Sequence, residues 1–188
     1  MVRVWDIQSG AELRRFTPHP RNVTAIAVGT RGMVFSGAWD SGSWDGALKL
    51  WTLESGAETF SFGGLADSIT SVATTPDFRR AISGCWDGTS KIWDLEHGLE
   101  LLSYARHADS VLSVALTPDG QYAVTASSDR TAHVWDALTG DLSAQFSGDA
   151  PMTACAVIGD GPTVAVGDAS GVLHFLRLER PCNKAAYE

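Results

Sequence analysis

At 188 residues, with 44% hydrophobic and 19% charged side chains, the chain can bury a core and has the balance of an ordinary globular domain. A formal net charge of −8, a pI near 5.0 and the lack of any basic run argue against nucleic acid as a partner. No apolar stretch approaches the length of a membrane helix, and the N-terminus lacks the apolar core of a signal peptide.

Taken in chain order, short β-branched and aromatic runs separated by turn residues predict strands throughout. A leading pair falls at 2–6 and 12–16. Four strands follow at 23–28, 33–37, 47–52 and 57–62, and four more at 69–74, 80–84, 89–94 and 99–104. The third set of four is 111–116, 122–126, 131–135 and 142–146, and the last set has three, 153–158, 163–167 and 172–176. Turn chemistry separates them. In Pro118-Asp119-Gly120, Pro presets φ and Gly accepts a positive φ. No segment carries a convincing helical period, so the class is all-β.

The strands repeat. Trp5, Trp51, Trp93 and Trp135 recur at spacings of 46, 42 and 42, and Gly10, Gly56, Gly98 and Gly140 keep step. Val23, Ile69 and Val111 mark the same period. Four strands per period correspond to one blade of a β-propeller. Blades are expected at about 17–62, 63–104, 105–146 and 147–178, after an orphan strand pair at 2–16. A polar tail, 179–188, is expected to be disordered. The first period is longer because Ser36-Gly37-Ala38-Trp39-Asp40 is followed by a near copy, Ser41-Gly42-Ser43-Trp44-Asp45.

Val4-Trp5-Asp6, Ile92-Trp93-Asp94 and Val134-Trp135-Asp136, the near match Leu50-Trp51-Thr52, and Trp86-Asp87-Gly88-Thr89 carry a family resemblance. Over residues 2 to about 178 the chain resembles the WD-repeat (WD40) β-propeller family, and more narrowly the C-terminal blades of bacterial WD-repeat arrays. The resemblance implies a hydrogen-bonded tetrad in each blade: a His before the first strand, a Ser or Thr on the second, an Asp in the next turn, and the Trp. His107, Thr125, Asp129 and Trp135 match all four places. The second blade offers Ser83, Asp87 and Trp93, with Leu65 in the His place. The first offers His19 and Trp51; its Ser and its Asp are both ambiguous between the two copies, with Asp45 taken as the carboxylate. The last blade has Val166, Ser170 and Leu176 at the Ser, Asp and Trp places and no tetrad, so the third blade is expected to be firmest and the last loosest.

The resemblance implies a non-catalytic protein–protein interaction scaffold or sensor module. On it, Trp44, Trp86 and Ser128 lie at equivalent places on one face, joined by Trp39 if the duplicated segment bulges outward and rimmed by Asp67 and Asp109. Trp is the residue most enriched in interface hot spots, which favours a protein-binding patch; packing between neighbouring blades is the competing reading. A Ser/His/Asp set also invites a catalytic reading. Its recurrence at blade period marks structural use, and no GxSxG, P-loop or HExxH motif is present. His97 and His174 read as isolated surface or packing residues. Cys85, Cys155 and Cys182 are odd in number and far apart, which fits a reducing cytoplasm and suggests no zinc. No cofactor or metal is expected.

Three complete blades and three strands of a fourth leave a ring open. Two closures are expected to compete. Two chains can pair with C2 symmetry into an eight-bladed ring, exchanging strand 12–16 and displacing strand 2–6. Alternatively the chain is a fragment of a larger propeller. The alternative function is accordingly a self-assembling half-propeller with no partner other than itself.

Overall fold

The structure is a computed structural model that describes residues 1–20, 22–39, 47–63, 65, 67–159 and 163–177. The described residues form seventeen strands and one 3-10 turn, Thr30–Gly32, which the sequence pattern does not signal. Strands β1 (Val2–Trp5) and β2 (Glu12–Phe16) pair alone. The first blade comprises β3 (Asn22–Val28), β4 (Met33–Trp39), β5 (Ala47–Thr52) and β6 (Glu58–Phe62). The second holds β7 (Ile69–Thr74), β8 (Arg80–Cys85), β9 (Ser90–Asp94) and β10 (Leu99–Tyr104). The third holds β11 (Val111–Leu116), β12 (Tyr122–Ser127), β13 (Thr131–Asp136) and β14 (Leu142–Ser147). The last has β15 (Met152–Ile158), β16 (Thr163–Asp168) and β17 (Leu173–Arg177). The tail 179–188, Cys182, Trp44 and Asp45 lie outside the described residues.

Every sheet is an antiparallel meander. The second strands run further than the pattern suggests, through Trp39, Cys85, Ser127 and Asp168. The aspartate after the periodic Trp closes the outer turn in the second and third blades. Asp94 Oδ1 accepts from the N–H groups of Glu96 and His97, and Asp136 Oδ1 from those of Leu138 and Thr139. This is the Asx geometry for which Asp is favoured in turns.

The first strands β3, β7, β11 and β15 lie side by side, so the blades fan around a common edge. Each carries a bulge, and three of the bulged residues are threonines. Thr24 Oγ1 donates to Gly37 O in its own blade and to Ile69 O in the next; Thr70 does the same for Gly84 and Val111.

Three apolar layers fill the spaces between blades. Phe35, Leu48, Leu50 and Phe62 of the first blade meet Ile69, Ala81 and Trp93 of the second. Ile82, Ile92 and Tyr104 meet Val111, Val114, Ala123 and Trp135 of the third. Val124, Ala132 and Val134 meet Met152, Val164 and Val166 of the last. Most apolar burial is therefore between sheets rather than within them, and no sheet has a core of its own.

Candidate protein-interaction surface and the side chains beneath it

The first blade uses the first copy of its duplicated segment. Ser36 on β4 accepts from Trp51 Nε1 at 3.0 Å and lies 2.7 Å from His19 Nε2, which removes the ambiguity over which Ser serves this blade. His19 Nδ1 has no partner among the described residues.

In the second blade Trp93 Nε1 donates to Ser83 Oγ at 2.9 Å. Asp87 joins neither of them. It is exposed and accepts from the N–H and hydroxyl of Thr89. Leu65, in the His place, is buried in the first apolar layer instead.

In the third blade His107 links two of its expected partners. Thr125 Oγ1 lies 2.7 Å from Nε2, and Asp129 Oδ2 lies 2.9 Å from Nδ1. Trp135 is a correction to the expected tetrad: its ring is fully buried, but its indole N–H has no partner among the described residues. Serine at this place serves both His and Trp in the first blade. Thr125 carries a β-branch that restricts χ1, and its hydroxyl bonds the imidazole only.

The sequence pattern did not single out His133. It stacks on His107, with ring centroids 4.0 Å apart, and its Nδ1 lies 2.9 Å from the Tyr104 hydroxyl. Thr131 Oγ1 lies 3.2 Å from His133 Nε2 and donates to Asp129 Oδ1 at 2.6 Å. Tyr104 in turn stacks face to face on Trp135 at 4.4 Å. One signal was available: the places equivalent to His133 in the first two blades are Lys49 and Lys91, which reach Glu58 and Glu100 on the fourth strand. The third blade offers Leu142 there and has no such carboxylate.

With both imidazoles neutral, every side-chain donor of His107, His133, Tyr104, Thr125 and Thr131 has an acceptor, and only the Trp135 N–H beside them is left over. Burial, with His107 adding to it, lowers His133 to about 4; burial also lowers His107, against the pull of Asp129. Burial acts to raise Asp129, but hydrogen bonds from Thr131, His107 and the Ala108 N–H outweigh it and hold the carboxyl down at about 2.

The hydroxyl, imidazole and carboxylate of Thr125, His107 and Asp129 stand in series, as a nucleophilic relay would. Thr125 is fully buried, so no substrate reaches its hydroxyl, and the series serves structure. Burial pushes the Cys85 and Cys155 thiols up to about 12, which leaves both inert as nucleophiles at neutral pH. Among the described residues no group of three His, Cys, Asp or Glu side chains is placed to hold a metal. No helix there is long and apolar enough to cross a membrane.

Among the described residues the exposed indoles are those of Trp39 and Trp86, together with Trp5 at the outer rim of the leading pair. Ala38, Cys85 and Ser127 pair with the equivalent residues Val23, Ile69 and Val111. Trp39, Trp86 and Ser128 therefore follow them at equivalent places, all at one end of the blades. Trp44, which the sequence pattern puts in that place, lies outside the described residues.

The turn carrying Trp86 is held on two sides. Its own N–H donates to Ser68 O at 3.0 Å, and a Cβ at Gly88 would meet the carbonyls of His107 and Asp109 at 3.1 Å. Ser128 N–H donates likewise to Ser110 O at 2.9 Å. Asp67 and Asp109 each bond the next residue's N–H, at Ser68 and Ser110, so both shape loops beside this face. His97 is exposed and bonded to Asp94; His174 is half-buried, bonded to Asp168 at 3.0 Å and packed on Phe146, so neither is isolated.

Comparison with known proteins agrees with this architecture. The solved structures that the chain resembles include two computationally designed proteins. With Ika8 the TM-score is 0.79 and the identity 27%, covering 94% of this chain and 52% of that one. With Ika4 the TM-score is 0.77 and the identity 26%, covering 90% of this chain and 99% of that one. The chain thus spans about half the length of Ika8. No curated protein matches it. The WD40 family model, described as WD domain, G-beta repeat, matches three successive segments, residues 10–52, 56–94 and 98–136. Three matched repeats, blade-wise stacking and the Trp–Ser bonds place the chain in the WD40 family.

Proposed function

We propose that the chain is a non-catalytic scaffold that binds protein partners, in the cytoplasm, through the blade end bearing Trp39 and Trp86. The supporting observation is that two exposed indoles occupy equivalent places in adjacent blades, with the Trp86 turn fixed by backbone contacts on both sides. Rigid aromatic anchors lose little entropy on binding, and such residues dominate interface energetics. The acidic charge disfavours nucleic acid, and the polar groups beneath the surface are committed to one another.

The test is selection of a displayed peptide library on the native chain, followed by binding of the selected peptides to Trp39→Ala and Trp86→Ala variants. Loss of peptide binding with unchanged melting and solution mass supports the reading. Loss of folding or mass assigns the indoles to packing and removes it.

A second reading, self-assembly through the open ends of the array, rests on a separate observation: apolar positions buried in the middle blades are exposed in the end blades.

A further inference from the structure

We propose, resting on the self-assembly reading, that a second copy of this chain closes the array by giving its β2 to β17, and that its own β1 is released in exchange. Each open end carries the unmet half of a joint that the interior makes three times.

On the last blade, Leu173 is 58% and Phe175 is 65% exposed, while their equivalents Leu48, Leu50, Ser90, Ile92, Ala132 and Val134 are buried. Thr153, the bulged residue equivalent to Thr24 and Thr70, donates to Gly167 O within its own blade and stays exposed. It lacks the second acceptor, on the following blade, that Thr24 and Thr70 reach. On the first blade, Ile26 is 45% and Val28 is 61% exposed, while Val114 and Leu116 in the same places are buried. The pair β1–β2 covers only the outer part of the first blade. A second copy's β15 and β16 would cover the inner part, and its Thr153 would then meet the Val23 carbonyl, the equivalent of Ile69 and Val111.

Both β1 and β17 are third strands, so they compete for one place beside β2. The register β1 uses now, Val2 opposite Phe16 and Arg3 opposite Arg15, would become Leu173 opposite Phe16 and His174 opposite Arg15. Three features favour β17. Arg3 faces Arg15 with Glu12 shared between them, and like charges directly opposite on a ladder are destabilising. Leu173 and Phe175 bring more apolar surface than Val2 and Val4. On β16 the Ser place is Val166, matched to apolar Leu176; β1 in that position would set the Trp5 indole against a residue with no acceptor. The Arg3–Glu12 ion pair that is given up is exposed and contributes little.

The experiment uses the full chain with Cys182→Ser, since Cys85 and Cys155 are held as unreactive thiols. Directly opposed ladder positions lie within disulfide reach. Light scattering should give twice the 20.0 kDa chain mass. Arg15→Cys combined with His174→Cys should oxidise to a covalent dimer. Arg3→Cys combined with Arg15→Cys should stay unlinked in the same dimer. Phe175→Asp should shift the mass toward the single chain. A dimer that links through positions 3 and 15 of one chain, and not through 15 and 174, overturns the exchange while leaving self-assembly standing. A single-chain mass at all concentrations overturns both.

Discussion

The Phe16 ring packs on the Trp51 indole with centroids 5.3 Å apart, although the two belong to different sheets. Phe62 stands 5.1 Å from Trp93 in the same relation, and Tyr104 stands 4.4 Å from Trp135. A fourth strand of one sheet thus caps the period Trp of the next, three times over. The leading pair β1–β2 is therefore seated as the outer half of a blade, and Arg14 fastens it by donating to the carbonyls of Leu53 and Glu54.

Phe16→Ala should consequently loosen the leading pair without unfolding the blades behind it. Phe16 is half-buried, so the expected loss is about 1–2 kcal/mol, below the 3–5 of a fully buried Phe. Hydrogen exchange should show lost protection in Val2–Phe16 and β5, with β8 and β12 unchanged. The same measurement on the native chain reads the gradient between blades. In the single chain protection should be lowest in β17, whose outer edge has no partner strand among the described residues, whereas in the exchanged dimer it should be lowest in the released β1.

Thr125 supplies a second test, because its β-branch coincides with the unpartnered Trp135 N–H. Thr125→Ser should let one hydroxyl serve both His107 and Trp135, as Ser36 serves His19 and Trp51. The recovered bond is worth about 0.5–1.5 kcal/mol, and the lost methyl costs about 0.8, so the net change should lie near zero. Thr125→Val keeps the shape and removes the hydroxyl beside His107. It should destabilise by about 1–3 kcal/mol. Chemical denaturation distinguishes the two; equal losses would show that the hydroxyl does not matter.

Acid should weaken the fold in two separate windows. His19 and His133 are each lowered from 6.5 to about 4 by burial, so the unfolded chain binds protons more readily than the native one. Their contribution is complete above pH 6.5 and is lost as pH falls from 6.5 toward 4, by at most about 1.4 kcal/mol per pH unit for each histidine. Asp129 is lowered instead, from 3.8 to about 2, so its contribution is lost only below about pH 4. His133→Gln should flatten the upper window and leave the lower one intact. Denaturant midpoints between pH 8 and pH 4 test this, and an unchanged slope in the variant would refute it.

Much of the fold was legible because its determinants are local. A two-residue alternation, a turn glycine and one Trp per period locate each strand to within a residue or two. Family membership was legible for the same reason. The interior of the third blade was not, because it depends on what stands across the sheet. His133 looks like any strand residue until its place is matched to Lys49 and Lys91, and its stacking on His107 joins residues far apart in sequence. The duplicated segment was opaque for a related reason. Both copies offer Ser, Gly and Trp-Asp, and only the pairing of Ser36 with Lys49 and of Ala38 with Ala47 selects the first.

The turn before β8 departs from its counterpart in the third blade, and this gives a last test. Gly120 takes φ +67 in Pro118-Asp119-Gly120, whereas Pro76-Asp77-Phe78 puts a Phe at φ 59. A non-glycine residue there is strained by roughly 1–2 kcal/mol. Burial of the ring offsets that cost: Phe78 is buried against Gly29 of the preceding blade, where an added Cβ would lie 1.9 Å from the ring. Gly29→Ala cannot coexist with the ring in place. It should destabilise by about 1–3 kcal/mol through overpacking. Phe78→Gly relieves the strain but forfeits a buried aromatic worth about 3–5 kcal/mol, so it too should destabilise, by roughly 1–4. Combining the two should cost clearly less than their sum, because with the ring gone the alanine methyl meets no clash. Additive losses in a double-mutant cycle would mean that Phe78 and Gly29 do not act on each other.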